Sequence, residues 1–103
     1  MDIFHASKKF PKAEIYALTD QIRRCSRSVC ANLGEGYYKR RYKAHFISKL
    51  TDSQMENGET QVWLDFARSC EYLTEKQYIA FCERCAEVGR MLQHMVNNPE
   101  KYR

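Results

Sequence analysis

Three groups of side chains have types and spacings that could support binding or chemistry. The tract Tyr37, Tyr38, Lys39, Arg40, Arg41, Tyr42, Lys43 interleaves aromatic rings with cations. Tyrosines can stack on unpaired bases while Lys and Arg neutralise phosphates. Arg27, Lys8, Lys9 and Lys12 add positive charge nearby in sequence. A solvated basic turn, or tyrosines packed at a subunit contact, fits the same tract equally well.

The second group is polar. Gln21, Arg23, Arg24, Asn32 and Glu35 fall in one stretch, and Glu56 and Glu59 in another. Carboxylates among Met55, Val62 and Trp63 are costly to desolvate alone. The planar guanidinium fork can satisfy such a carboxylate with two hydrogen bonds. The expectation is an interhelical network joining Arg23 or Arg24 to Glu56 or Glu59, which would set register more than add stability. In that arrangement Glu59→Ala would cost roughly 3 kcal/mol or more, by stranding a buried arginine. A polar binding site is the competing reading.

The third group is Cys82 and Cys85, a C-x-x-C. Structural zinc needs four ligands, and no second C-x-x-C or H-x-x-x-H supplies the rest. A shared helix face packed into the core is the expectation. His5, His45 and His94 have no Glu three residues before them, so the Glu-x-x-His pairs of a di-iron bundle are absent. No catalytic residue, metal or other cofactor is expected.

These residues must be positioned by helices. After Phe10-Pro11, the stripe Ile15, Leu18, Ile22, Cys25, Val29, Leu33 alternates steps of three and four, which predicts a first long helix closed by Gly34 and Gly36 near Tyr37. A second is expected from about Ala44 to Tyr72. One of its seams is Phe46, Leu50, Ser53, Asn57, Thr60, Leu64, Ala67, polar in the middle and apolar at both ends. A neighbouring seam runs Ile47, Met55, Gly58, Val62, Phe66, Cys70, Leu73. Gly58 in a helix interior costs roughly 1 kcal/mol against Ala, so close packing at that position is expected. Thr74 with Gln77 reads as a capping box. The helix it opens carries Tyr78, Phe81, Cys85, Val88, Leu92 and Met95, and ends before Pro99.

Composition bounds the rest. With 103 residues the chain is expected to be one domain, 1–103. No apolar run approaches the ~20 residues of a membrane span. Residues 1–50 hold eleven Lys and Arg against four acids, and residues 51–103 hold six against nine, so a basic half precedes an acidic one. Five cysteines without a secretory signal point to reduced thiols in a cytoplasm.

The run FPKAEIYALTDQIRRCSRSVCANLGEGYYKR resembles the signature of the bacterial four-helix bundle protein family. That family takes in proteins encoded in intervening sequences of large-subunit ribosomal RNA genes. It also takes in the accessory variability determinant of diversity-generating retroelements. The matching positions are Phe10, Pro11, Glu14, Tyr16, Gln21, Ile22, Arg23, Arg24, Ser28, Ala31, Asn32, Glu35 and Gly36, with a second motif over residues 55–64. The resemblance implies a homo-oligomer, a pentamer, without catalytic activity. It also implies association with RNA or DNA, or with a nucleic-acid enzyme such as a reverse transcriptase. Two departures stand out. Cys30 replaces the proline many members carry, and only Met1 to Lys9 precede Phe10-Pro11, where members have a full helix. Three long helices with a stub, a partner filling the fourth place, or an upstream start would each accommodate this.

The combined reading is all-α: an up-down antiparallel helical bundle of three long helices plus a shortened N-terminal helix. Its expected role is a non-enzymatic accessory protein that binds RNA or DNA through Arg27 and the tract from Tyr37 to Lys43. The alternative is a protein-interaction module without nucleic-acid contact.

Overall fold

The computed structural model describes residues 2–14 and 17–103. The chain forms a short helix α1 (Asp2–Ser7), a 3-10 turn (Lys12–Glu14) and the helices α2 (Leu18–Tyr38), α3 (Lys43–Ser69) and α4 (Glu75–Asn97). A last 3-10 turn follows at Pro99–Lys101. This is the expected all-α bundle of three long helices and a stub.

The boundaries differ from expectation in two places: α3 ends at Ser69 rather than near Tyr72, and the first long helix starts late. Pro11 does not open the first long helix. The chain makes a 3-10 turn after it, and α2 starts at Leu18 behind Ala17, which offers no side-chain cap. Ile15 of the expected stripe and Tyr16 of the motif lie outside the described residues. From Leu18 onward the stripe holds: Leu18, Ile22 and Cys25 are buried, while Val29 and Leu33 are half-buried. The helix runs unbroken through Cys30 and past both glycines to Tyr38.

Local chemistry explains the other ends. The Thr74 hydroxyl accepts from the Gln77 backbone N–H at 3.1 Å, and the Thr74 N–H donates to Gln77 Oε1 at 3.0 Å. Both partners of the capping box are therefore in place. Helix α3 stops where Glu71 turns left-handed (φ 61°). There the Tyr72 N–H donates to the Ala67 carbonyl and the Glu71 N–H to Arg68, the pairing of a Schellman ending.

Helix α3 is the centre of the molecule. It packs along α2 on one side and α4 on the other, while α2 and α4 scarcely meet. The seam predicted on α3 is buried at Phe46, Leu50, Ser53, Thr60, Leu64 and Ala67. Its polar middle is answered by backbone. The Ser53 hydroxyl donates to the Val29 carbonyl of α2 at 2.9 Å, and Asn57 Nδ2 donates to the Cys85 carbonyl of α4 at 2.9 Å. Thr60 donates to its own turn, at Glu56. These bonds remove the penalty of burying polar groups. They also divide the apolar interior in two. One cluster gathers Phe10, Leu18, Ile22, Leu64, Ala67, Leu73 and Phe81; the other holds Phe46, Leu50 and Leu92. Each fully buried leucine here contributes about 2 kcal/mol over an exposed one.

Two glycine positions separate sharply. At Gly36 a Cβ would meet the Lys49 Cβ at 3.1 Å, so the missing side chain lets α3 approach α2. At Gly58 a Cβ would meet nothing within 4 Å. The expected close packing at Gly58 is corrected: its face of α3 points outward, beside exposed Met55 and Val62.

The stub α1 reaches one end of the groove between α2 and α4. That groove has a volume of about 280 Å³, and Ile3 lines it together with Val29, Cys30, Phe81 and Val88. Among the described residues no helix is long and apolar enough to cross a membrane.

Candidate nucleic-acid interface

The basic tract sits at the end of the bundle where α2 gives way to α3. Tyr37 and Tyr38 are the last residues of α2, residues 39–42 form the connector and Lys43 opens α3. Tyr38, Arg40, Arg41 and Tyr42 line one open groove of about 690 Å³. Tyr38 is 87% exposed and Tyr42 60%. Tyr37 is less available, because the Arg40 guanidinium lies over its ring at 4.0 Å. Among the described residues, Lys39, Arg40 and Arg41 are in no ion pair.

The far wall of this groove comes from the C-terminal turn, which the sequence reading did not include. Arg103 Nε donates to the Arg40 carbonyl at 2.8 Å, and its Nη2 donates to the Arg41 carbonyl at 2.9 Å. Its Nη1 holds Glu100 Oε1 at 2.8 Å, and Lys43 Nζ lies 3.5 Å from the same oxygen. The Arg103 hydrogen bonds that join the two walls span more than sixty residues, so no local pattern could pair them.

Arg27 lies apart. It is on α2, about three turns before the connector, lining a small cavity with Phe4, Arg23 and Ser26. Its Nε donates to the Arg23 carbonyl. The geometry therefore gathers Tyr38, Arg40, Arg41, Tyr42 and Lys43 without Arg27.

The expected polar network is not formed. Arg24 faces its own helix neighbour Asp20 at 3.9 Å. Arg23 turns to α1, donating to the Ser7 hydroxyl at 2.7 Å with its guanidinium 4.4 Å from the Phe4 ring centre. The docking of α1 thus satisfies Arg23 with a hydroxyl and a ring rather than with a carboxylate of α3. Glu35 pairs with Lys49 at 2.7 Å, which holds Glu35 below and Lys49 above their usual ranges. Gln21 and Asn32 are half-buried on α2, and neither is hydrogen-bonded to Glu56 or Glu59 among the described residues.

Glu56 and Glu59 instead meet Cys25. The thiol donates to Glu59 Oε2 at 3.3 Å. Burial, then the two carboxylates, push the Cys25 thiol up to about 12. The three ligand atoms lie within 4.8 Å of one another, the closest approach to a cation-holding set among the described residues. Such a thiol is protonated at neutral pH and a poor nucleophile. Cys82 and Cys85 are half-buried and unpaired as a disulfide, with Gln61 Nε2 donating to Cys82 Sγ at 3.1 Å.

The 23S rRNA-intervening sequence protein model matches residues 1–94. The chain belongs to that family. A crystal structure of a protein of unknown function from the S23 ribosomal protein family of Bacteroides thetaiotaomicron superimposes with a TM-score of 0.83 at 26% identity, over 93% of this chain and 86% of that one. No curated protein matches. In this chain the Glu35-Gly36 pair of the motif has a physical role. Gly36 lets α3 close on α2, and Glu35 clasps Lys49 at the same crossing. The match to the family model ends before the C-terminal turn that carries Glu100 and Arg103.

Proposed function

We propose that this chain is a non-enzymatic, cytoplasmic accessory protein that binds RNA or DNA, alone or with a nucleic-acid enzyme such as a reverse transcriptase, through the basic end of its bundle. The observation that carries this reading is the convergence of Tyr38, Arg40, Arg41 and Tyr42 on one open groove. Guanidinium groups there that are in no ion pair can meet phosphates, Arg40 being held by the Tyr37 carbonyl and ring, and exposed tyrosine rings can meet bases. Tyr37, Lys39 and Lys43 border the same surface, and Arg27 extends positive charge along α2. The five unpaired cysteines suit a reducing compartment.

The test is a gel-shift titration with RNA and DNA oligonucleotides. Counterion release makes affinity fall steeply as salt rises from about 50 to 200 mM. Absence of binding at ~50 mM salt, or binding indifferent to salt, would remove the reading.

A second reading rests on a separate observation. Met55, Val62 and Phe66 are 60%, 62% and 47% exposed on a common face of α3. An apolar face of this kind suits a protein contact, and a homo-oligomer, a pentamer in the resembled family, is the partner we propose for it. Pull-down with and without nuclease separates partners held through nucleic acid from direct protein partners.

A further inference from the structure

Among the described residues that line the groove at the basic end, Glu100 is the one with an acidic side chain. Glu100 is held by Arg103 Nη1 at 2.8 Å and by Lys43 Nζ at 3.5 Å, both at its Oε1. Arg103 cannot swing freely, because its Nε and Nη2 are engaged by the Arg40 and Arg41 carbonyls. The guanidinium is thus fixed with one edge turned to the anion. Two cations converging on one oxygen form a site that fits a phosphate oxygen as well as a carboxylate. Glu100 itself is 66% exposed at the side chain. An exposed pair of this kind is only weakly held, so a stronger anion can replace it. The Arg103 hydrogen bond holds Glu100 below the usual carboxylate range, so it is ionised at neutral pH.

We propose that Glu100 is an internal stand-in for a nucleic-acid phosphate, and that single-stranded RNA or DNA binds by displacing it from Arg103 and Lys43 while bases stack on Tyr38 and Tyr42. This rests on the nucleic-acid reading above and adds three things to it. It brings Arg103 into the site, it makes Glu100 a built-in competitor, and it selects single strands. The selection follows from the rings. Tyr38 and Tyr42 stand open to solvent, and only unpaired bases can offer them a face. The Glu100 and Arg103 turn lies beyond the residues matched by the family model.

The experiment is fluorescence anisotropy with labelled oligouridylate, its deoxythymidylate counterpart and a duplex of equal length, each at salt from ~50 to ~500 mM. The proteins are the full chain, Glu100→Gln, Arg103→Gln, the double variant Tyr38→Ala with Tyr42→Ala, and Glu83→Gln. Glu83 is exposed on α4, fourteen residues before its end at Asn97 and so about 21 Å away along the axis. Its substitution changes net charge equally, outside the groove. Removing one like charge next to a phosphate should tighten single-strand binding by Glu100→Gln about four-fold at ~50 mM salt, and the gain should vanish by ~500 mM. Arg103→Gln should weaken binding. The tyrosine pair should weaken single-strand binding and leave the duplex unchanged. Glu83→Gln should stay within two-fold of the parent.

If the parent binds but Glu100→Gln matches it, or if Glu83→Gln tightens binding as much, the competitor role is overturned while the nucleic-acid reading stands. Duplex bound as tightly as single strand overturns the strand selection. If neither the parent nor Glu100→Gln binds any oligonucleotide, both readings fall together.

Discussion

Cys25 shows how one buried side chain responds to its neighbours. It is 3% exposed, and Glu59 and Glu56 crowd its thiol. Burial and the two carboxylates disfavour the thiolate in the folded chain, moving its pKa from 9.0 to about 12. The unfolded chain releases that proton near 9. Between about 9 and about 12 the folded state therefore binds more protons, and stability falls as pH rises. Denaturant titrations at pH 8 and pH 10 should show the parent losing more stability than Cys25→Ala. Equal losses would mean that the thiol ionises alike in both states. The same cluster revises the expectation for Glu59, whose residue is exposed and whose carboxylate holds a weak thiol donor rather than a guanidinium. The Arg23 partner could not be read from sequence for a physical reason. Ser7 and Phe4 lie on α1, and only the docking of that stub decides which side of α2 satisfies the guanidinium.

At the scale of elements, the two helix glycines give opposite answers to the same substitution. Gly58→Ala removes backbone freedom from the unfolded chain and meets nothing in the fold. It should raise stability by about 1 kcal/mol in a denaturant titration. Gly36→Ala makes the same helix-propensity gain but meets the Lys49 Cβ at 3.1 Å, so it should retain less of it. Equal gains at both positions would show that α3 yields without strain. What sequence made legible follows the same division. The capping box of α4 is chemistry among four consecutive residues, and Thr74 with Gln77 announced it. The buried stripe of α2 and the seam of α3 follow from helical periodicity alone. The environment of Gly58 depends on which face the neighbouring helices cover. The C-terminal wall of the groove depends on where α4 ends relative to the first connector. Neither leaves a local pattern.

For the whole molecule, the central position of α3 leaves one of its faces without a neighbour. Met55, Val62 and Phe66 are exposed there. Light scattering should find the parent at a multiple of its 12.2 kDa chain mass, and Phe66→Glu should lower that multiple while leaving far-UV circular dichroism intact. A monomeric parent would refute the proposed self-contact. The charge balance also reads differently at this scale. The basic half is not neutralised by the acidic half through Arg23 and Arg24, which turn to Ser7 and Asp20.

The hydrogen bonds at the middle of α3 carry a consequence for the distant groove. Ser53 keys α2 to α3, and Asn57 keys α4 to α3. Both act along the helix axis, where leucine packing alone would tolerate a slide of one turn, about 5.4 Å. Such a slide of α4 would carry Arg103 out of reach of the Arg40 and Arg41 carbonyls, some 18 Å of helix beyond Cys85. A buried hydroxyl and a half-buried amide thus act as a vernier, keeping opposite ends of the chain aligned at a surface that neither of them touches.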